Sequence, residues 1–494
     1  MKKIYTTSMM VAILFLALTT TVQAQRTVAV DQGVGTLNEA IFSDTTETGA
    51  RVDSATVYVL SDGGIYLSTG EIDHSFPLSI VAEDGAAVKP KVYPAVDDGN
   101  ESARLFVPRD DLTLIGLDIS NTDELGARNK NTIRIKGDDA HVYIEDCFLN
   151  EDTQAPFRLD ADNISVIIKN CIISNMDQDY NNGRVVDDRG NAVDTIWIEN
   201  STIYNIGSRL IRDGGELVNY FYFDHNTVVN TGRRVMDVGE VITAVITNNV
   251  LRDCGILGQG ADDLTAIVGI DSINIDGVTQ DVMISHNSYF IDPGYTDLIP
   301  DTAVAVPPFN PTATAWVMAK GTFLTLHDED VQFTNGPAPV YTLVSDWYAN
   351  PATDVTYPDF DKAGEPFDFG YANSTLVGGD SEGGQMGDPR WSATNSVNVE
   401  ALSYNASGLE LFPMPVDDYA TIRFTVDTYA DVEVSLFSVV GQKVANIVYG
   451  SYPSGTHTIS WNGADDSGHL LNPGMYILRM NAGGEISTLK IMKN

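Results

Sequence analysis

Apolar and polar positions alternate over most of residues 25–290, in short runs whose phrasing returns again and again. "WIENSTIYNIG" begins at Trp197; "YIEDCFLNED" and "IIKNCIISNM" precede it, and "YFDHNTVVNTG", "VITNNVLRDCG" and "MISHNSYFIDP" follow. Aligned on Ile144, Ile168, Ile198, Phe223, Ile246 and Ile284, the copies are separated by 24, 30, 25, 23 and 38 residues. A weaker copy, "LIGLDISN", starts 30 residues upstream at Leu114. Alternation of period two predicts half-buried strands. A repeat in the twenties predicts a solenoid, whose units bury their apolar faces only by stacking on one another. The leucine frame of a leucine-rich repeat is missing, and the period is too short for a propeller blade. The expected fold is therefore all-β: a right-handed parallel β-helix, with variable repeat lengths absorbed by loops at its corners.

A polar pair follows the first strand of each copy: Asp146-Cys147, Asn170-Cys171, Asn200-Ser201, His225-Asn226, Asn248-Asn249 and His286-Asn287. Asn and Asp tolerate the left-handed backbone conformation and bond to neighbouring main chain. The pairs are expected to turn corners and to stack as a polar ladder, a structural role for the asparagines and for both histidines. Cys147 and Cys171 fall on adjacent rungs, as small buried hydrophobes or as a disulfide. The open end of a solenoid is an exposed sheet edge. "TLNEAIFSD" from Thr36, with Leu37, Ala40 and Ile41 on one helical face, is the expected N-terminal plug.

Composition divides the chain further. Residues 1–24 combine Lys2 and Lys3, an apolar run from Met9 to Leu18 and a small-x-small end at Val22-Gln23-Ala24, the pattern of a cleaved signal peptide. Its removal takes away two lysines and no acids, leaving 27 Lys+Arg against 68 Asp+Glu and a net charge of −41. Such a surface repels nucleic acid and anionic lipid, and no later apolar run is long enough to span a bilayer. Residues 25–290 carry the repeats, 291–400 are Pro- and Gly-rich and extend or flank the β-helix, 401–408 form a linker, and 409–494 read as a compact strand-rich unit.

That last unit resembles the C-terminal sorting domain of the type IX secretion system, a small immunoglobulin-like β-sandwich. The likeness rests on Gly441-Gln442-Lys443, Gly455, Trp461, Gly463, Asp465, Gly468, Pro473-Gly474 and Tyr476. The opening motif departs from the usual Tyr-Pro-Asn-Pro: here it is Phe412-Pro413-Met414-Pro415. The resemblance implies passage through the periplasm of a Gram-negative bacterium, engagement of the secretion machinery by residues 409–494, and release from the cell or anchoring at its outer-membrane surface. Residues 27–400, closing on "MGDPRW", resemble in architecture the pectate-lyase-like β-helices of polysaccharide-degrading bacteria, without a lyase signature that aligns residue by residue, which implies an extracellular polysaccharide as partner. Fold likeness does not confer activity.

One periodicity is not required by folding. Arg134, Arg158, Arg184, Arg209 and Arg234 recur at steps of 24, 26, 25 and 25, accompanied by Asp160, Asp187, Asp188, Asp213 and Asp237. If the coils are regular, the arginines stack along one flank. Arg134, Arg158 and Arg234 are then candidates for gripping the carboxylates of an extended polyanion. Asp187, Asp213 and Asp237 are candidates for holding Ca²⁺ through hard oxygen ligands. Arg184 or Arg209 could remove a proton only with a strongly lowered pKa; Lys136 is the easier proton carrier, with Lys130 and Tyr180 nearby. Three readings stand: a polysaccharide-binding surface protein, a Ca²⁺-dependent lyase acting by β-elimination on a polyuronide, and a structural adhesin whose Arg–Asp pairs merely relieve like-charge stacking. If every one of the five arginines were locked to an aspartate on the next rung, the groove would have no free valence and the lyase reading would fail.

Overall fold

The computed structural model describes residues 26–96, 104–123, 125–176, 182–212, 214–258, 266–300, 306–320, 326–349, 365–391 and most of 409–493. The proposed signal peptide and the linker 401–408 lie outside the described residues, as do Tyr180, Asp213, Pro413-Met414-Pro415 and Gly441-Gln442.

Residues 27–290 wind into a parallel β-solenoid of about eight turns. Three ladders of parallel strands form its flanks. Face A runs from Thr27–Val30, through Val193–Glu199 and Val218–Asp224, to Asp281–Ser285. Face B is an 11-stranded sheet from Gly33–Val34 to Leu326–His327. Face C runs from Ile72–His74 to Val268–Asp271 and uses strands as short as Val186–Asp187 and Ile211–Arg212. Strand Met236–Thr247 is continuous from face C into face A, bending near Gly239, where the backbone is left-handed and the register shifts.

Stacking in register puts like residues on like. On face A, Val142, Val166, Ile196, Phe221, Ala244 and Val282 form one inward row, and Ile144, Ile168, Ile198, Phe223, Ile246 and Ile284 the next. All twelve are buried in one apolar core. The repeat marker aligned in the sequence is thus a core position.

The polar pairs behave as expected. Asp146, Asn170, Asn200, His225, Asn248 and His286 all have φ between 50° and 61°, the left-handed region. Their partners point inward and are buried. The amide oxygens of Asn226, Asn249 and Asn287 accept from the main-chain nitrogens of Ser201, Asn226 and Asn249 at 3.0, 2.8 and 3.1 Å. The amide nitrogens of Asn226 and Asn249 donate to the carbonyls of Ile198 and Phe223. Buried corners leave main-chain groups without strand partners, and this internal ladder supplies them. Cys147 and Cys171 occupy the same row as free, buried thiols.

Helix Thr36–Ser43 plugs the N-terminal end with Leu37 and Ile41, both fully buried. At the other end, helix Pro311–Lys320 inserts Ala313 and Val317 into the same core. The Pro- and Gly-rich stretch then folds back over face B as a wall. Phe367 and Phe369 pack on Tyr204 and Val229, and Leu376 and Met386 on Val250. The "GDPRW" phrase pins it down: Asp388 accepts from the Thr202 hydroxyl at 2.6 Å, the Trp391 indole donates to the same hydroxyl at 2.7 Å, and Arg390 donates to the Cys171 carbonyl at 2.7 Å.

From Leu409 the chain forms two antiparallel sheets of three and four strands. Their inner residues, including Ile422, Phe424, Val434, Leu436 and Trp461, share one core.

Candidate functional site

Face C carries the arginines, but not on one line. Arg134 and Arg158 are neighbours in register. The same row then continues Asp187, Arg212, Asp237. Arg184, Arg209 and Arg234 each stand three residues before that row, at the corner leading into the strand. The single five-arginine stack read from spacing is therefore corrected to two parallel rows. The cause is a corner insertion: the in-register step from Arg158 to Asp187 is 29 residues, and equal sequence steps concealed the change of phase.

Three aspartates organise both rows. Asp160 accepts from the Nε of Arg134 and, at 2.9 Å, from the Nε of Arg158, whose Nη1 also reaches Gln154 at 3.1 Å. Asp187, with a fully buried side chain, accepts from Arg184 at 2.8 Å and Arg212 at 2.9 Å, with Arg189 at 3.7 Å. Asp237 accepts from Arg209 at 3.1 Å and from Arg234. All five arginines of the periodic series thus have an aspartate partner, on the next rung for Arg134 and Arg209 and on their own rung for Arg158, Arg184 and Arg234. Among the described residues these ion pairs gather seven arginines around three carboxylates, with Asp188 buried beside Asp187. Arg189 and Arg212 do not belong to the periodic series; their signal was the second arginine in "GRVVDDRG" and "RLIRDG", which spacing from the first one masks.

Burial tunes the cluster. Desolvation lowers the pKa of Arg184 despite the opposing charge of Asp187. Arg209 is lowered to about 10, by burial first and then by repulsion from Arg233. Burial works against the ionised form of Asp160, but hydrogen bonds from Arg158 and Arg134 outweigh it and hold its pKa below the ordinary value.

The other candidates lie apart. Lys136 directly follows strand Asn131–Ile135, earlier in the solenoid than the Arg184 and Arg209 rungs, in the field of Asp73. Lys130 is exposed in the turn before that strand. Asp187 and Asp237 are two rungs apart, about 10 Å by strand spacing, with Arg212 between them. Among the described residues no group of three His, Cys, Asp or Glu side chains is placed to hold a metal.

Faces A and B differ from face C in what covers them. His225, at the corner between them, is held by Asp224 through Nδ1 at 2.8 Å and faces Asp380 of the returning wall through Nε2 at 3.3 Å. Asp224 also accepts from the Tyr222 hydroxyl and the Asn248 amide, so the histidine joins wall to coil.

The FlgD Ig-like domain family matches residues 416–485, within the C-terminal unit. No curated protein matches the chain.

Proposed function

We propose that this is an exported β-solenoid protein that binds an extracellular acidic polysaccharide along face C. The observation that carries this reading is the gathering of arginines on one half-buried flank, with Arg134 and Arg158 on adjacent rungs sharing the single carboxylate of Asp160, in a chain whose formal charge is −39. Sharing one carboxylate between Arg134 and Arg158 holds two guanidinium planes on adjacent rungs without neutralising both. Guanidinium groups fixed in this way bind carboxylates of a chain running along the solenoid with little further loss of side-chain freedom. Export fits the signal-like first 24 residues, and the immunoglobulin-like C-terminal unit supports its reading as a type IX sorting domain that engages the secretion machinery.

The test is retention of the intact chain on immobilised pectate, alginate, heparinoid and chondroitin, with dextran as neutral control. Binding to an acidic polymer that weakens as salt rises is the expected result. No retention on any acidic polymer at low salt would overturn the reading. Surface display of a reporter joined to residues 409–494, in a bacterium with the secretion system, checks the route.

A second reading is favoured by the lowered pKa of Arg209. Burial and repulsion from Arg233 lower it to about 10, while Asp237 accepts from Arg209 at 3.1 Å, and a lowered value brings the neutral base within reach at alkaline pH. Coupled to Ca²⁺ and a uronate carboxylate, that base would make the protein a polysaccharide lyase. Ultraviolet absorbance from unsaturated sugar, rising steeply with pH and removed by a chelator or by Arg209→Lys, would establish it. Absence of the signal with retention intact leaves the binding protein.

A further inference from the structure

The outward row of face A has an unusual composition for an acidic, polar solenoid. Tyr143, Ile167, Trp197, Tyr222 and Val245 stack in register across five successive rungs. Two residues further along each strand runs a second row, Glu145, Lys169, Glu199, Asp224 and Thr247. The rings are tied to it: the Trp197 indole donates to Glu199 at 2.9 Å, and the hydroxyls of Tyr143 and Tyr222 to Glu145 and Asp224 at 2.6 and 2.9 Å. Lys169 lies 4.9 Å from the Trp197 ring centre, and the Trp197 and Tyr222 rings are 4.2 Å apart. The result is a flat apolar strip with every polar edge satisfied by its own strand.

The middle three rungs of this strip are not solvent-exposed, and Tyr143 and Val245 at its ends are half-buried. Strands at either end of the ladder alternate between exposed or half-buried and buried positions, as a sheet with one wet face must. Strand Ile164–Lys169 is buried throughout, and the apolar half of Val193–Glu199 and of Val218–Asp224 likewise. Ile167, Trp197 and Tyr222 are 1 %, 0 % and 2 % exposed. They belong to one continuous apolar cluster, and among the described residues every other fully buried member lies between Leu409 and Ile491.

We infer that the strip is a docking surface whose occupant is the chain's own C-terminal immunoglobulin-like unit. The unit is held against the solenoid flank by apolar contact over the Ile167, Trp197 and Tyr222 rungs and is not a freely tethered tail. Removal of such a cover would expose an aromatic patch of the kind that marks interaction sites on soluble proteins. This inference does not depend on what face C binds.

Hydroxyl-radical footprinting of the intact chain tests it. Tyr429 and Tyr449, 74 % and 76 % exposed, provide internal references. Trp197 and Tyr222 are expected to be oxidised at least tenfold more slowly than these references, roughly as their burial dictates. Ile167→Glu places a charge on the outer surface without touching the solenoid core, and should raise Tyr222 oxidation about fivefold while the solenoid's thermal transition persists. Trp197 and Tyr222 reacting as fast as Tyr449 in the wild-type chain would overturn the inference, a result that requires no variant to fold. Unchanged protection of Tyr222 in Ile167→Glu would overturn it equally.

Discussion

Faces A and C of the solenoid have the same backbone and rung spacing, but opposite surfaces. On face A the outward row is apolar over the Ile167, Trp197 and Tyr222 rungs, its rings are bonded to their own strands, and these rungs are covered. On face C the outward rows are charged, each arginine is bonded to an aspartate within its strand or on the neighbouring rung, and the side chains of Arg134 and Arg158 remain about a fifth exposed. The difference shows that stacking in register constrains the inside of a solenoid and leaves the outside free to be written. Any residue type repeated at one phase becomes a stripe, and the type chosen decides whether the stripe is closed by protein or left for a ligand.

The largest effect is expected at the inner ladder of the corner where face A turns into face B. Asn249→Ala removes the acceptor for the Asn226 main chain and the donor to the Phe223 carbonyl. It should cost about 3 kcal/mol in denaturant unfolding, because two buried main-chain groups lose their partners. A small loss would mean that the ladder does not hold the corner beside face A.

Next comes the chemistry of face C. Arg134→Ala and Arg158→Ala should each weaken retention on an acidic polymer about tenfold, or 1.4 kcal/mol, with little change in melting. Equal losses from Lys320→Ala, outside the cluster, would reduce the contrast between faces to overall charge. A smaller effect concerns the corners. Asn200, at φ 52°, should tolerate glycine and lose about 1 kcal/mol on substitution by alanine, read from the same unfolding curves.

The smallest is a pH effect confined to face C. The folded-state pKa of Asp160 is depressed by its arginines. Its stabilisation is therefore fully present above the unfolded carboxylate value, about 3.9, and is lost as pH falls through the lower folded value. Melting measured from pH 7 to pH 3 should show an acid-side decline that Asp160→Asn makes shallower. An identical decline in the variant would assign it to other carboxylates.

The alternation of Ile196, Ile198 and Ile203 and the recurrence of the Asn corners made the solenoid, its repeats and its capping helix legible in one dimension. Each is a local demand: a strand face, a left-handed turn or an amphipathic plug is specified by residues a few positions apart. The stretch from 291 to 400 was legible only as a change of composition. Its role as a wall depends on Phe367, Asp388 and Trp391 meeting coils more than 100 residues earlier.

What the sequence by itself determined is the repeat, the inward row and the type of chemistry on face C, because a period of about 24 residues places like atoms above like whatever the loops do. What only the tertiary structure decided is phase and coverage. Loops inserted at corners alter spacing without altering register, so Arg184 could not be told from a residue in line with Arg158. Burial of Trp197 depends on apolar residues beyond Leu409, and a sequence holds no record of which distant surface closes over a given stripe.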